Sequence, residues 1–191
     1  NTYASTSIAS DDVSAGDAAV TISTSGGDIT LDSPADVVLD ADGLNLLTKL
    51  KLKSGIPRKM VITPHPGEAA RLVNKGVNKI QEDRFKSVTA LEKKFGSVSV
   101  LKGSGSLVCY KRSGKQRIGV CEAGNPGMAK GGMGDVLAGL IGSFLSQGLG
   151  LVEATEVAVD LHSKSADIAS LELGMTITPT DVIRNVRYFL R

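Results

Sequence analysis

From Asp36 onward, short continuous apolar runs alternate with polar turns rich in glycine and proline. Val37-Val38-Leu39, Met60-Val61-Ile62-Thr63 and Val98-Ser99-Val100-Leu101 have the length and β-branched content of parallel strands buried on both faces. Between these runs the apolar positions move to helical spacing. Leu44, Leu47 and Leu50 predict a helix that Gly55 and Pro57 stop. Residues 68–73 predict a short helix, and Ile80, Val88, Leu91 and Phe95 predict one face of a longer helix ending at Gly96. Residues 107–110 and 117–120 read as a hairpin around Ser113-Gly114. A strongly apolar run, 136–145, then predicts a helix starting near Met133, and Leu151, Ala154, Ala158, Leu161 and Ile168 stripe another. Thr180 is the expected cap of a last helix, with Val182, Ile183, Val186, Phe189 and Leu190 on its buried side.

This alternation predicts an α/β fold with a mostly parallel central sheet, carried by residues 36–191. Residues 1–35 are different: rich in Ser, Thr, Ala, Gly and Asp, with 19–24 and 29–31 flanking Gly26-Gly27-Asp28. They read as a short hairpin, a loosely ordered arm or an edge of the sheet. At 191 residues, 41% hydrophobic and 22% charged, the chain suits one globular domain with a sizeable core. No run of eighteen apolar residues and no basic-then-apolar leader is visible, so no membrane partner is expected. Cys109 and Cys121 are too few for a disulfide framework or a metal cluster and read as reduced thiols, which suits a cytoplasmic protein. Residues 1–48 hold eight Asp and no Lys or Arg, whereas the remainder holds 22 basic against 12 acidic groups. That basic body can attract anionic ligands or can be an ordinary solvated surface. With no Trp and few aromatics, a nucleic-acid partner is not expected.

Every polar cluster that looks chemical follows the last apolar residue of a strand, the edge where open parallel sheets bind ligands. The densest is 125–135, Asn-Pro-Gly-Met-Ala-Lys-Gly-Gly-Met-Gly-Asp. Gly131, Gly132, Met133 and Gly134 can turn their amides inward at a helix start and form an anion hole. Asp135 would repel a phosphate there unless it is placed to take a proton; the alternative is a glycine turn with an aspartate cap. In Thr63-Pro64-His65-Pro66-Gly67-Glu68 two prolines stiffen a turn that displays His65 and Glu68. His65 can donate to a phosphate or a polar substrate group, or simply belong to a rigid turn. The run Lys102, Gly103, Ser104, Gly105, Ser106 offers a cation, two flexible positions and two hydroxyls, enough to wrap a phosphate or ribose without matching a Walker loop. A plain strand-to-strand turn would look similar. Asp40 and Asp42 suit helix caps as well as they suit catalysis, and mid-helix His162 reads as structural.

Together, Val38 to Leu47, Thr63 to Glu68, Lys102 to Gly105, Asn125 to Ala129 and Gly131 to Gly139 resemble the ADP/ATP-dependent NAD(P)H-hydrate dehydratases of the ribokinase-like superfamily. The resemblance implies a layered α/β/α fold, and repair of hydrated NADH or NADPH with ADP or ATP and Mg2+. The ring hydroxyl would be phosphorylated and the phosphate eliminated. It further implies that Asp135 deprotonates the hydroxyl while Gly134 and its neighbours cradle the phosphate. Lys102 to Ser106 would hold the AMP portion, His65 and Asn125 would meet the hydrated dinucleotide, and Glu68 would act indirectly on the metal. Relatives carry further strand–helix units before the strand at Val37, so either the sequence is part of a longer chain or the fold is N-terminally shortened, its sheet left small or finished by another chain; a homo-oligomer is expected. Two other functions fit the same residues: a small-molecule kinase for a sugar, thiazole or pyridoxal-type alcohol, and a non-catalytic nucleotide-binding protein.

Overall fold

Along the central strands side chains alternate between two apolar layers, and that alternation sets the architecture. The computed structural model of the chain describes residues 36–49 and 59–190. Five strands form one sheet in the order β1 (Val37–Leu39), β2 (Met60–Ile62), β3 (Val98–Leu101), β4 (Leu107–Arg112) and β5 (Lys115–Val120). The first three are parallel, with Val38 opposite Val61 and Ile62 opposite Ser99; β4 and β5 form an antiparallel hairpin hung on β3. Its two-residue turn is Ser113-Gly114, both at positive φ (50° and 77°), which matches the twist of the flanking strands.

Met60 and Ile62 point into one core with α1 (Ala41–Lys49), α2 (Pro66–Val73), α3 (Val77–Glu82) and α4 (Arg84–Phe95). Val61, Val98 and Val100 point into the other, against α5 (Met133–Ser146) and α6 (Leu151–Leu173). Helices therefore cover both faces of the sheet, the layering expected for α/β. A smaller cluster of Met133, Ala166, Ala169, Ile177 and Val182 fastens the start of α5 to α6 and to α7 (Pro179–Val186). All described residues fall within one unit, Leu31–Arg191. Among them no helix is long and apolar enough to cross a membrane. Cys109 and Cys121 are free and buried, and burial pushes the Cys109 thiol up to about 11.

Three local expectations change. The long helix through Ile80 and Phe95 is two helices, because Asp83 leaves helical geometry (φ −145°) and its side chain caps α4 by accepting from Lys86 N at 2.9 Å. The short helix starts at Pro66 rather than Glu68, since proline at the first position loses no hydrogen bond. The last helix is capped by Thr178, not Thr180: Thr178 Oγ1 accepts from Asp181 N and Asp181 Oδ2 accepts from Thr178 N, a reciprocal box around Pro179. That helix ends at Val186. Val182 and Val186 are buried, but Ile183 (56% exposed), Phe189 (40%) and Leu190 (56%) are not on a buried side. The hairpin expected within 1–35, and the helix end at Leu50, Gly55 and Pro57, lie outside the described residues.

Leu91 is fully buried in the core beneath α4. Leu91→Ala should lower the unfolding free energy by about 2–5 kcal/mol in urea denaturation with an unchanged m-value.

Candidate active site

Because β1, β2 and β3 are parallel neighbours, their carboxyl ends deliver Asp40, Thr63-Pro64-His65 and Lys102 to one edge. Main-chain bonds lace these turns together: Thr63 N donates to Leu39 O at 3.1 Å and Lys102 N to Pro64 O at 2.9 Å. On the opposite helix layer, α5 begins at the same edge. Gly132, its cap, sits at φ +86°, a conformation that favours glycine, and a side chain there would run into Pro179 at 3.0 Å. Among the described residues the amides of Gly134 and Asp135 meet no protein acceptor, as expected in the first turn of a helix.

Between these elements lies a cleft of about 750 Å³, a volume suited to a nucleotide-sized ligand. It brings together Lys102, Gly103, Ser104, Gly105, Ser106, His65, Asn125, Gly131, Gly132, Met133, Gly134 and Asp135. Glu68 alone of the expected site residues does not line it. Asp135 occupies the first turn of α5 with an exposed side chain bordering the same cleft as the lysine and histidine turns.

Several of these side chains have defined local duties. His65 caps α2: its Nδ1 accepts from Gly67 N (3.0 Å) and Glu68 N (3.3 Å), while Glu68 Oε2 accepts from His65 N at 2.7 Å. Because Nδ1 is the acceptor, the neutral ring carries its proton on Nε2, 3.3 Å from Glu68 Oε1. His65 is therefore oriented with its side chain half exposed to the cleft, and Glu68 is buried behind it. Lys102 Nζ is 2.6 Å from Asp40 Oδ1 and 3.9 Å from Glu68 Oε2, so it is no loose surface cation. Asn125 Oδ1 accepts from Gly127 N at 3.0 Å, capping a single 3-10 turn, Pro126–Met128.

Pattern reading overlooked two supports. Asp167, from α6, accepts from Gly124 N (2.8 Å) and Asn125 Nδ2 (2.9 Å), clamping the asparagine loop across 42 residues of chain. Arg84, at the start of α4, donates to Leu101 O at 3.1 Å and to Ser104 O, fastening the Lys102–Ser106 turn. Neither follows a strand or joins a glycine run; only spacing across whole helices could have pointed to them. His162 is buried in α6 as expected of a structural residue, yet it borders the cleft with an unpartnered Nε2. Burial pushes its pKa down to about 4; the Lys102 charge acts in the same direction and the Met133 backbone opposes it.

Comparison with known proteins bears on the family and the fold. The NAD(P)H-hydrate dehydratase family profile matches residues 28–187. The chain is 42% identical over 158 residues to a bifunctional NAD(P)H-hydrate repair enzyme Nnr of Coxiella burnetii, covering 82% of this chain and 31% of that protein. It is 40% identical over 157 residues to an ADP-dependent (S)-NAD(P)H-hydrate dehydratase of Neisseria meningitidis, covering 81% and 52%. An ADP/ATP-dependent NAD(P)H-hydrate dehydratase from Bacillus subtilis, co-crystallised with ATP/Mg2+, superposes with a TM-score of 0.63 at 28% identity, covering 68% of this chain and 46% of that one. The fold is ribokinase-like. The chain thus spans about a third to a half of the length of these relatives. It belongs to the NAD(P)H-hydrate dehydratase family.

With a folded pKa of about 4 against an unfolded value of 6.5, His162 stays neutral in the native state while the unfolded chain binds its proton first. Stability should therefore fall as pH drops from about 6.5 toward 4, by on the order of 3 kcal/mol from this group. Urea midpoints across that range should show the slope in the wild type and a flatter one in His162→Gln.

Proposed function

We propose that the chain catalyses nucleotide-dependent dehydration of hydrated NADH or NADPH in the cleft at the amino end of α5. One observation carries the reading: Asp135 and the free amides of Gly134 and Asp135 occupy one helical turn, within a cleft shared with the lysine and histidine turns. A phosphoryl-transfer site needs donors for the equatorial oxygens and a base for the acceptor hydroxyl. In this reading Asp135 accepts the proton of the ring hydroxyl, whose oxygen attacks the terminal phosphorus of ADP or ATP. The bond to the AMP or ADP leaving group breaks. Departure of phosphate, with loss of a proton from the adjacent ring carbon, then re-forms the ring double bond.

The amides of Gly134 and its neighbours stabilise the transferring oxygens without needing to reorganise. The Lys102–Ser106 turn, held by Arg84, embraces the nucleotide. His65, its ring fixed by the α2 cap, and Asn125, held by Asp167, face the hydrated dinucleotide. Among the described residues no three His, Cys, Asp or Glu converge on one point, so a protein-only metal cage is not formed. Glu68, buried behind His65 and outside the cleft lining, is not placed to reach a metal there, and Mg2+ would be held chiefly through the substrate phosphates. When bound it would offset phosphate charge. The buried free thiols fit a reducing compartment, which supports the cytoplasm as the site of action.

With hydrated NADH and either nucleotide, the expected products are orthophosphate and recovered reduced-nicotinamide absorbance. A stable phosphorylated alcohol would instead identify a small-molecule kinase, and nucleotide binding without turnover a non-catalytic protein. Asp135→Asn should lower kcat by about 10²–10⁴ while ADP still binds, the span of a lost general base. Full activity in that variant would remove Asp135 from the mechanism.

A further inference from the structure

Asp40 has no role in the reaction as described, yet its carboxylate is committed to one partner. Lys102 Nζ lies 2.6 Å from its Oδ1, with the two side chains only 20% and 12% exposed. As an ordinary cap Asp40 would accept from an α1 amide. Among the described residues it is instead the main-chain oxygen that bonds Gly43 N, at 2.9 Å, while the carboxylate accepts from Lys102. The next residue, Ala41, is held at φ +44°, a conformation alanine adopts only under constraint and one that concentrates at functional sites.

The position of the ammonium matters more than the pairing. A β-carbon at Gly134 would stand 3.2 Å from both Asp40 Oδ2 and Lys102 Nζ. The cation therefore rests against the second residue of α5, where the free helix amides are. The glycine turn of its own loop is drawn away toward Arg84, whose guanidinium would lie 3.1 Å from a β-carbon on Gly103. A lysine side chain left alone samples many rotamers, and a carboxylate at 2.6 Å removes that freedom.

We infer that Asp40 is a positioning residue which holds the Lys102 ammonium at the amino end of α5. Lys102 then serves the terminal, transferring phosphate, and the AMP portion is left to the backbone and hydroxyls of Gly103 to Ser106. This rests on the nucleotide reading of the cleft proposed above. It also reassigns Lys102 from the AMP grip that the family resemblance implies. A cation already fixed beside the amides adds to their field at no cost in reorganisation when the phosphoryl group moves.

Titration calorimetry with ADP and with AMP separates the two assignments. Lys102→Met should weaken ADP by about tenfold or more while AMP stays within about twofold, as expected for loss of one charge-assisted phosphate contact. Equal weakening of both would return the lysine to the AMP portion and overturn the inference. Asp40→Asn should lower kcat by about tenfold with the KM for ADP nearly unchanged, because the lysine remains but loses its fixed place. A lowered melting temperature with unchanged kcat would make Asp40 merely structural. Should Asp40→Asn fail to fold, the ADP-against-AMP comparison in Lys102→Met decides alone. Wild type that binds neither nucleotide would defeat the reading of the cleft itself, a result distinct from loss of ADP preference in the variant.

Discussion

A missing side chain makes the cleft possible. Gly134 lets the first turn of α5 approach the Asp40–Lys102 pair so closely that even a methyl group would press on both charged ends. Glycine is a poorer helix former than alanine, which is a cost to α5. The cost is offset by what the approach brings together: a helix terminus from one layer, and the carboxyl ends of β1 and β3 from the sheet. A helix N-terminus is favourable to anions anywhere on a protein surface. Here it faces a fixed cation, a half-exposed histidine and an acid within a single concavity.

That closeness is maintained from both sides. Beneath α5, Met133 packs with Ala166, Ala169, Ile177 and Val182, so the start of the helix is a core position rather than a frayed end. Pro179 closes on Gly132, and Lys130 Nζ donates to Ile177 O at 2.9 Å, tying the glycine loop to the segment before α7. On the sheet side, the bonds from Thr63 to Leu39 and from Lys102 to Pro64 couple the three turns so that none can shift alone. Asp167 and Arg84 then fasten the two loops that flank the helix start. Both reach in from helices distant in sequence and fix loop shape through main-chain atoms, Asp167 also through the Asn125 amide.

Much of this was legible from residue order, because the signals were local. Buried strands such as Val98–Leu101 announce themselves by apolar content, the hairpin by its turn residues, and the helix at Met133 by glycines running into an apolar stretch. The turns that line the cleft at His65 and Lys102 were legible for the same reason: parallel strands carry their polar turns to one edge. What the order of residues concealed was three-dimensional pairing. The break at Asp83 depends on one backbone dihedral that periodicity averages over, and the capping box at Thr178 competes with a threonine only two residues away. Asp40 suited a helix cap equally well until the distance to Lys102, 62 residues on, was known. Exposed Phe189 and Leu190 follow from a helix that ends at Val186, one turn before the apolar stripe does.

The charge arrangement also explains why an acid can sit beside an anion hole. Asp135 lies at the third position of α5, where a carboxylate interacts favourably with the positive end of the helix dipole. Lys102 compensates Asp40 at 2.6 Å, and Glu68 is buried among His65 contacts and 3.9 Å from the same ammonium. The carboxylates that would oppose a nucleotide are thus compensated inside the protein, whereas Asp135 remains exposed at the mouth of the cleft. In the proposed reaction this exposed carboxylate, next to amides that would receive phosphate, would meet the hydroxyl of the substrate. The buried pairing of the other acids is what leaves this one available.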